Sequence, residues 1–319
     1  MNREKNIDIL KAIGSLAIIL AHVEPNKIIF QIRNFDVILM IMVSAYLYMK
    51  KDNRKTKYVY KRIKRLLIPT WIFLTIFFAI SFFIKPYNLK TIISTYILHD
   101  GIGYVWIIRI YLITAVILTI LVPKLQDKHT YIYIGVVYLM YELLAQLGIF
   151  EKNIILKDIV AYIAPIMLIV GVTYWIKKSN NKKVVIFSFA NLIIYLINLI
   201  AIYLITGEVH DTNYMKYPFR IYYLSYAFFV SSMLIIINRN EKIVELFYNK
   251  FIKFISQSSL WIYLWHILFV VYINYYFPDL IWELKYIVVL SAAIFTTYIQ
   301  NKIIDKINCD NEITKLFRG

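Results

Sequence analysis

Residues 7–23 read IDILKAIGSLAIILAHV, and the apolar character of this segment is repeated along the whole chain. The 319 residues are 61% hydrophobic and only 17% charged, with a mean hydropathy of +0.63. A soluble domain could not cover so much apolar surface with so few charges. A helix needs roughly 20 mostly apolar residues to cross a bilayer. The sequence therefore predicts an all-α, polytopic membrane protein with about ten transmembrane helices.

The distribution of basic residues predicts the topology. Turn and charge clusters separate the predicted spans, and inner segments hold 26 of the 36 Lys and Arg residues if the N-terminus is inside, against 9 in the outer loops. This bias follows the positive-inside rule and places both termini in the cytoplasm. The predicted spans are 7–23, 30–49, 66–84, 104–122, 130–149, 158–176, 184–206, 218–237, 256–277 and 281–301.

Length, charge and cysteine content limit the other classes of protein. We expect a membrane domain over residues 1–301 and a short cytoplasmic tail over 302–319, in a multi-pass protein of the plasma membrane. Asp8 and Lys11 interrupt the first apolar run, which favours a retained helix over a cleaved signal peptide. The net charge of +17 lies in short loops that meet lipid headgroups, so we expect no nucleic-acid partner. The single cysteine, Cys309, predicts neither a disulfide nor a cysteine metal site, and no metal is expected.

Ionisable residues inside a bilayer are costly and are candidates for function. The first span contains Asp8, Lys11, Ser15 and His22. Lys11 and His22 lie within about 20° of each other on a helix and about 16 Å apart along it, from ordinary helix geometry. We interpret them as a polar seam from the cytoplasmic mouth to the outer half of the membrane. The alternative is that Lys11 snorkels to the inner headgroups and His22 only ends the helix.

Arg62 and Arg65 are three residues apart at the inner end of the third span, so they share one helix face. Guanidinium groups bind phosphate oxygens in a bidentate manner, which suits a phosphorylated cytoplasmic ligand. The alternative is ordinary basic flanking of a membrane helix.

Further polar candidates lie in other spans. Tyr263 and His266 share a face of the ninth span, while Arg109 and Glu142, in spans four and five, are expected to pair with each other or to line a cavity. Asp36 lies near the outer end of the second span, close to the expected position of His22. An orienting carboxylate raises the basicity of a histidine, so we hypothesise that Asp36 pairs with His22 as a catalytic residue.

Five short motifs occur in a fixed order on this scaffold. They are Lys11 with His22 after ten spacer residues, Ser44-Ala45-Tyr46-Leu47, Arg62-Ile63-Lys64-Arg65 with Pro69, Tyr104-Val105-Trp106, and Ser259-Leu260-Trp261-Ile262-Tyr263-Leu264-Trp265-His266. In this order the chain resembles the acyltransferase-three family of integral membrane acyltransferases along nearly its whole length. Ala45 stands where that family usually has glycine.

The resemblance implies transfer of an acyl group, usually acetyl, from acyl-CoA as co-substrate to a glycan or lipid-linked sugar acceptor, with no permanently bound cofactor. His22 would act as general base or accept the acyl group transiently. Lys11, Arg62 and Arg65 would bind the phosphates of acyl-CoA. Two other classes of function stay open on the residues alone: an exporter of polysaccharide intermediates, whose path the same polar groups would line, and a membrane sensor without turnover.

Overall fold

The computed structural model describes residues 4–50, 55–99, 101–307, 314, 316 and 317, and within these ranges the chain is helical without any strand. Cys309 lies outside the described residues. The helices are α1 Lys5–Ala21, α2 Lys27–Ile32, α3 Asp36–Lys50, α4 Lys55–Ile84, α5 Leu89–Tyr96, α6 Trp106–Leu121, α7 Lys128–Gln146, α8 Ala161–Lys178, α9 Asn181–Thr206, α10 Ile221–Ile237, α11 Glu241–Phe247, α12 Lys250–Tyr276 and α13 Trp282–Ile307.

The prediction of an all-α polytopic membrane protein is confirmed. The predicted number of about ten spans is approximate, as the following count shows. Within the described residues, seven helical segments are long and apolar enough to cross a bilayer when α2 and α3 are counted together as one. The number rises to eight if the bent pair α10–α11 also counts as one span. Each predicted span overlaps a helix, but α1 and α7 are not among these seven or eight. α1 is only 17 residues long, and α7 contains polar residues such as Glu142 and Gln146.

Three short features were not predicted. The second span is broken, because α2 ends at Ile32 and a turn leads into α3 at Asp36. The small helices α5 and α11 lie where the sequence predicts only loops. The broken span matters most for the site, because its turn brings Arg33 and Asn34 into the interior, where both are buried.

The first helix is packed between α3 and α12. A Cβ atom placed on Gly14 would lie 2.8 Å from Cγ of Met40, so the absence of a side chain there allows α1 and α3 to approach closely. α1 and α12 run parallel, because Lys11 contacts Ser256 and His22 contacts His266 about three turns further along both helices. This parallel pair positions the candidate site.

Two apolar clusters enclose this pair. The larger cluster joins α3, α4, α6, α8 and α10, and the smaller one joins α1, α12 and α13. The described part of the predicted tail also packs on the bundle. The Phe317 ring stacks on Trp261, with centroids 5.5 Å apart, and the Trp261 indole donates a hydrogen bond to the carbonyl of Leu316 at 2.9 Å.

Candidate active site

Two histidines from the parallel helices meet at the end of α1. His22 is the residue that closes this helix, and its Nδ1 lies 2.8 Å from Nε2 of His266 on α12. The two rings are stacked, with centroids 5.0 Å apart and planes 14° from parallel. His266 is fully buried. Both histidines were predicted as site residues, but their direct pairing was not.

Hydrogen bonding defines which nitrogen of His22 is available for chemistry. His266 Nδ1 faces the backbone carbonyl of Tyr263, which can only accept a hydrogen bond. The Nδ1 atom of His266 therefore carries a proton, and in a neutral ring its Nε2 accepts. His22 Nδ1 then donates to His266, which leaves His22 Nε2 as an unprotonated base.

Aromatic side chains hold this histidine pair. The Tyr104 ring lies edge-on to His22, with centroids 4.9 Å apart. The hydroxyl of Tyr263 donates to the carbonyl of Tyr104, so it joins α12 to the segment that leads into α6. Tyr263 was predicted to line a cavity, and it lies against the His22 ring at 6.3 Å between centroids.

The hypothesised pair of Asp36 and His22 is wrong. Within the described residues, the Asp36 carboxylate accepts a hydrogen bond from Arg33 at 2.9 Å and lies 3.6 Å from Nζ of Lys216. Its other oxygen also accepts from the backbone N–H of Val37 at 2.7 Å. Lys216 is 180 residues further along the chain, so only the tertiary fold brings it to Asp36, while His266 occupies the partner position at His22.

Asp36 belongs to a buried polar network that extends away from the histidines. Lys216 Nζ donates to the side-chain oxygen of Asn34 at 2.9 Å, and the Asn34 amide donates to the hydroxyl of Thr212 at 2.7 Å. Burial lowers the pKa of Lys216 to about 8, although the neighbouring Asp36 carboxylate opposes this shift. Sequence reasoning missed Lys216, because a single lysine in a loop carries no distinctive signal.

The inner end of the predicted seam is bonded to α12. Lys11 Nζ donates to the carbonyl of Ser256 at 2.5 Å, and the Ser256 hydroxyl donates to Asp8 at 2.7 Å. Ser15 and Ile18 lie between Lys11 and His22 on the helix surface, and both are buried. The seam is therefore polar at its two ends and mixed between them.

The two predicted phosphate-binding arginines differ in environment. Arg62 is half-buried and directed towards α3, where its Nη2 lies 3.4 Å from the hydroxyl of Ser44. Arg65 is exposed. Ser44 belongs to one of the five motifs, so the structure brings two of these motifs into contact.

Of the two alternatives expected for Arg109 and Glu142, the pairing of these residues with each other is wrong. Arg109 bonds to Asp158, which also contacts His99, whereas Glu142 accepts from Nε of Arg220 at 2.6 Å. These are two separate ion pairs, because neighbouring helices supply a nearer partner to each residue. Asp158 could have been recognised from the sequence, because it is an acidic residue at the start of a predicted apolar span.

A pocket of about 140 Å³ opens at the end of the bundle that carries the N-terminus of α1. It lies between α1, α3, α8 and α10, and Lys177 and Arg239 contribute to its lining. Both cations already donate to backbone carbonyls, Lys177 to Met49 and Arg239 to Ile176 and Ser179.

Comparison with known proteins defines the class. A family model described as an acyltransferase domain, that of the acyltransferase-three family, matches residues 4–299. The chain therefore belongs to the acyltransferase-three family, as its five motifs indicated, and it is a multi-pass membrane acyltransferase. No curated protein and no solved structure matches the chain.

Proposed function

We propose that this protein transfers an acyl group, with acetyl as the favoured group, from acyl-CoA to a sugar hydroxyl. The acceptor is a cell-surface polysaccharide or a lipid-linked sugar at the plasma membrane. Membership of the acyltransferase family supports the reaction type. The observation that carries the proposal is the hydrogen-bonded chain from the Tyr263 carbonyl through His266 to His22. It holds one imidazole nitrogen in the state that a general base requires.

In the proposed reaction, Nε2 of His22 takes the proton of the acceptor hydroxyl as the oxygen attacks the thioester carbonyl. The carbon–sulfur bond then breaks, and the CoA thiolate takes up the proton from His22. Acyl-CoA and alcohol are consumed, and ester and free CoA are released. A transient acyl group on the same nitrogen would give the same balance in two steps.

Arg62 and Arg65 are the proposed contacts for the phosphates of acyl-CoA. They lie on one face of α4, at the inner end of the predicted third span, and Arg62 points into the bundle towards Ser44. The helical distance of roughly 16 Å between the level of Lys11 and that of His22 is comparable to an extended pantetheine arm. Lys11, which donates to the carbonyl of Ser256, would line the entrance to this path.

The proposal is tested by chemistry on the product. Purified protein should consume labelled acetyl-CoA only when a glycan acceptor is present, and cells that lack the protein should lose O-acyl groups from their surface glycans. Protein that moves lipid-linked sugars across vesicles without consuming acetyl-CoA would instead be an exporter, and the proposed reaction would then be wrong.

A further inference from the structure

A buried group of charges lies at the outer end of the parallel helix pair. Arg33, Asp36 and Lys216 are only 4%, 1% and 3% exposed. Arg33 Nη1 is 2.9 Å from one oxygen of Asp36, and Lys216 Nζ is 3.6 Å from the other. Two cations thus share one carboxylate, and a positive charge is left over.

Hydrogen-bond donors are also left over. Nε of Arg33 is buried and has no partner within the described residues, and the same holds for the hydroxyl of Tyr223. Lys216 Nζ lies 5.4 Å from the centre of the Tyr223 ring, so these donors belong to one neighbourhood. Asp211 is the next acid in range of Lys216, but its side chain caps a turn by accepting from the backbone of Asn213 at 2.8 Å.

Such an arrangement is costly without a further anion. A buried charge needs a partner of opposite sign, and an unpartnered buried donor forfeits the hydrogen bonds that it made with water. The lowered pKa of Lys216, caused first by its burial, is the expected response of an ammonium group that lacks a full counter-charge. An anion bound beside Arg33 and Lys216 would remove both costs.

We propose that Arg33 and Lys216 bind an oxyanion, a phosphate or carboxylate group of the acceptor, and thereby hold the acceptor hydroxyl beside His22. The charges of Arg33 and Lys216 both act on the His22 ring, so the site lies within electrostatic reach of the proposed base. A guanidinium and an ammonium together match the several acceptor oxygens of such a group. The acceptor part of this inference rests on the proposed function. It implies that the acceptor is an acidic glycan or a phosphorylated lipid-linked sugar.

Anion binding is measured without turnover, by thermal unfolding of the purified protein in detergent at pH 7. Inorganic phosphate and acetate are titrated separately against chloride at equal ionic strength. Wild-type protein should show a saturable rise in Tm, with phosphate alone indicating a phosphorylated acceptor and acetate alone a carboxylated one. Lys216→Met should lose the saturable part and keep only the non-specific stabilisation by phosphate.

Three variants keep the result interpretable. Lys183→Met, an exposed lysine on α9, is the matched control and should behave as wild type. Lys216→Arg keeps the cation and should keep the saturable rise, which separates loss of binding from loss of fold. The double variant Arg62→Gln/Arg65→Gln should also keep it, which excludes the proposed acyl-CoA site. No saturable rise in wild type, or an equal rise in Lys216→Met, would overturn the inference.

The pH dependence adds an independent reading. Asp36, Arg33, Asp211, Tyr217 and Tyr223 lie around Lys216. Its pKa of about 8 places its loss of charge just above neutrality. Sulfate keeps a constant charge over this range and replaces phosphate. Its saturable effect should weaken between pH 7 and 10 in wild type and persist in Lys216→Arg. If sulfate binding depends on Lys216 but no acyl transfer occurs, the anion site is supported and the proposed function is wrong. If acyl transfer occurs but sulfate binding does not depend on Lys216, only the anion site is wrong.

Discussion

The two ends of α1 are both bonded to α12, but with different chemistry. At the predicted inner end, Lys11 donates to the backbone carbonyl of Ser256 and Asp8 accepts from the Ser256 hydroxyl, so both charged residues bond to neutral groups of α12. At the outer end, His22 meets another imidazole, and the nearby cations outnumber the carboxylate. The inner end thus acts as an anchor between α1 and α12, and at the outer end the Nε2 atom of His22 is left as an unprotonated base.

The largest effect is expected at the outer end. His22→Ala should lower acyl transfer about 10²- to 10⁴-fold, the usual contribution of a general base, while the protein stays inserted and folded. The rate of acyl transfer from labelled acetyl-CoA checks this. His129→Ala, an exposed histidine at the start of α7, is the matched control and should keep full activity. Activity retained by His22→Ala would place the chemistry elsewhere in the bundle.

The histidine pair itself is tested next. His266→Phe removes the acceptor that orients His22 Nδ1–H and should lower kcat about 10- to 100-fold, the range seen when the partner that orients a metal-ligating histidine is removed. His266→Gln supplies a side-chain oxygen in its place and should restore part of the rate. Both variants should leave the KM for acyl-CoA near that of wild type. A change in Tm with no change in kcat would assign His266 to packing alone.

The predicted cytoplasmic arginines should act on binding. Arg62→Gln/Arg65→Gln should raise the KM for acyl-CoA about 10- to 100-fold per lost charged hydrogen bond, at roughly 1.5–3 kcal/mol each, with a smaller change in kcat. Initial rates at varied acyl-CoA concentration separate the two parameters. The substitution Lys64→Gln, on the same helix between them, serves as the comparison. An unchanged KM in the double variant would leave these arginines as ordinary basic flanking residues.

The smallest catalytic effect is expected from the inner anchor. Lys11→Met removes the bond to the Ser256 carbonyl and should lower the free energy of unfolding by about 1–3 kcal/mol, with kcat changed less than about threefold. Thermal unfolding and initial rates on the same preparation test this. A raised KM for acyl-CoA at unchanged stability would instead make Lys11 a ligand of the co-substrate, and the two ends of α1 would then both be functional.

Much of the fold could be predicted from the sequence, because a bilayer imposes a strong, local constraint on the backbone of each apolar segment. Runs of about 20 apolar residues must be helical, since the bilayer core offers no water to unpaired backbone groups. The break in the second span was not predicted, although Arg33, Asn34 and Asp36 interrupt its apolar run at the turn. Both candidate histidines were found by the same reasoning, as polar groups in apolar surroundings.

The sequence by itself determined the helical membrane architecture, the resemblance to the acyltransferase-three family and the candidates His22, His266, Arg62 and Arg65. Only the tertiary structure decided the partners: His266 instead of Asp36 for His22, Lys216 for Asp36, Arg220 for Glu142 and Asp158 for Arg109. The physical reason is the distance along the chain over which each effect acts. Apolar periodicity acts over one turn of helix, whereas a hydrogen bond or ion pair joins residues that are remote along the chain and depends on how complete helices pack.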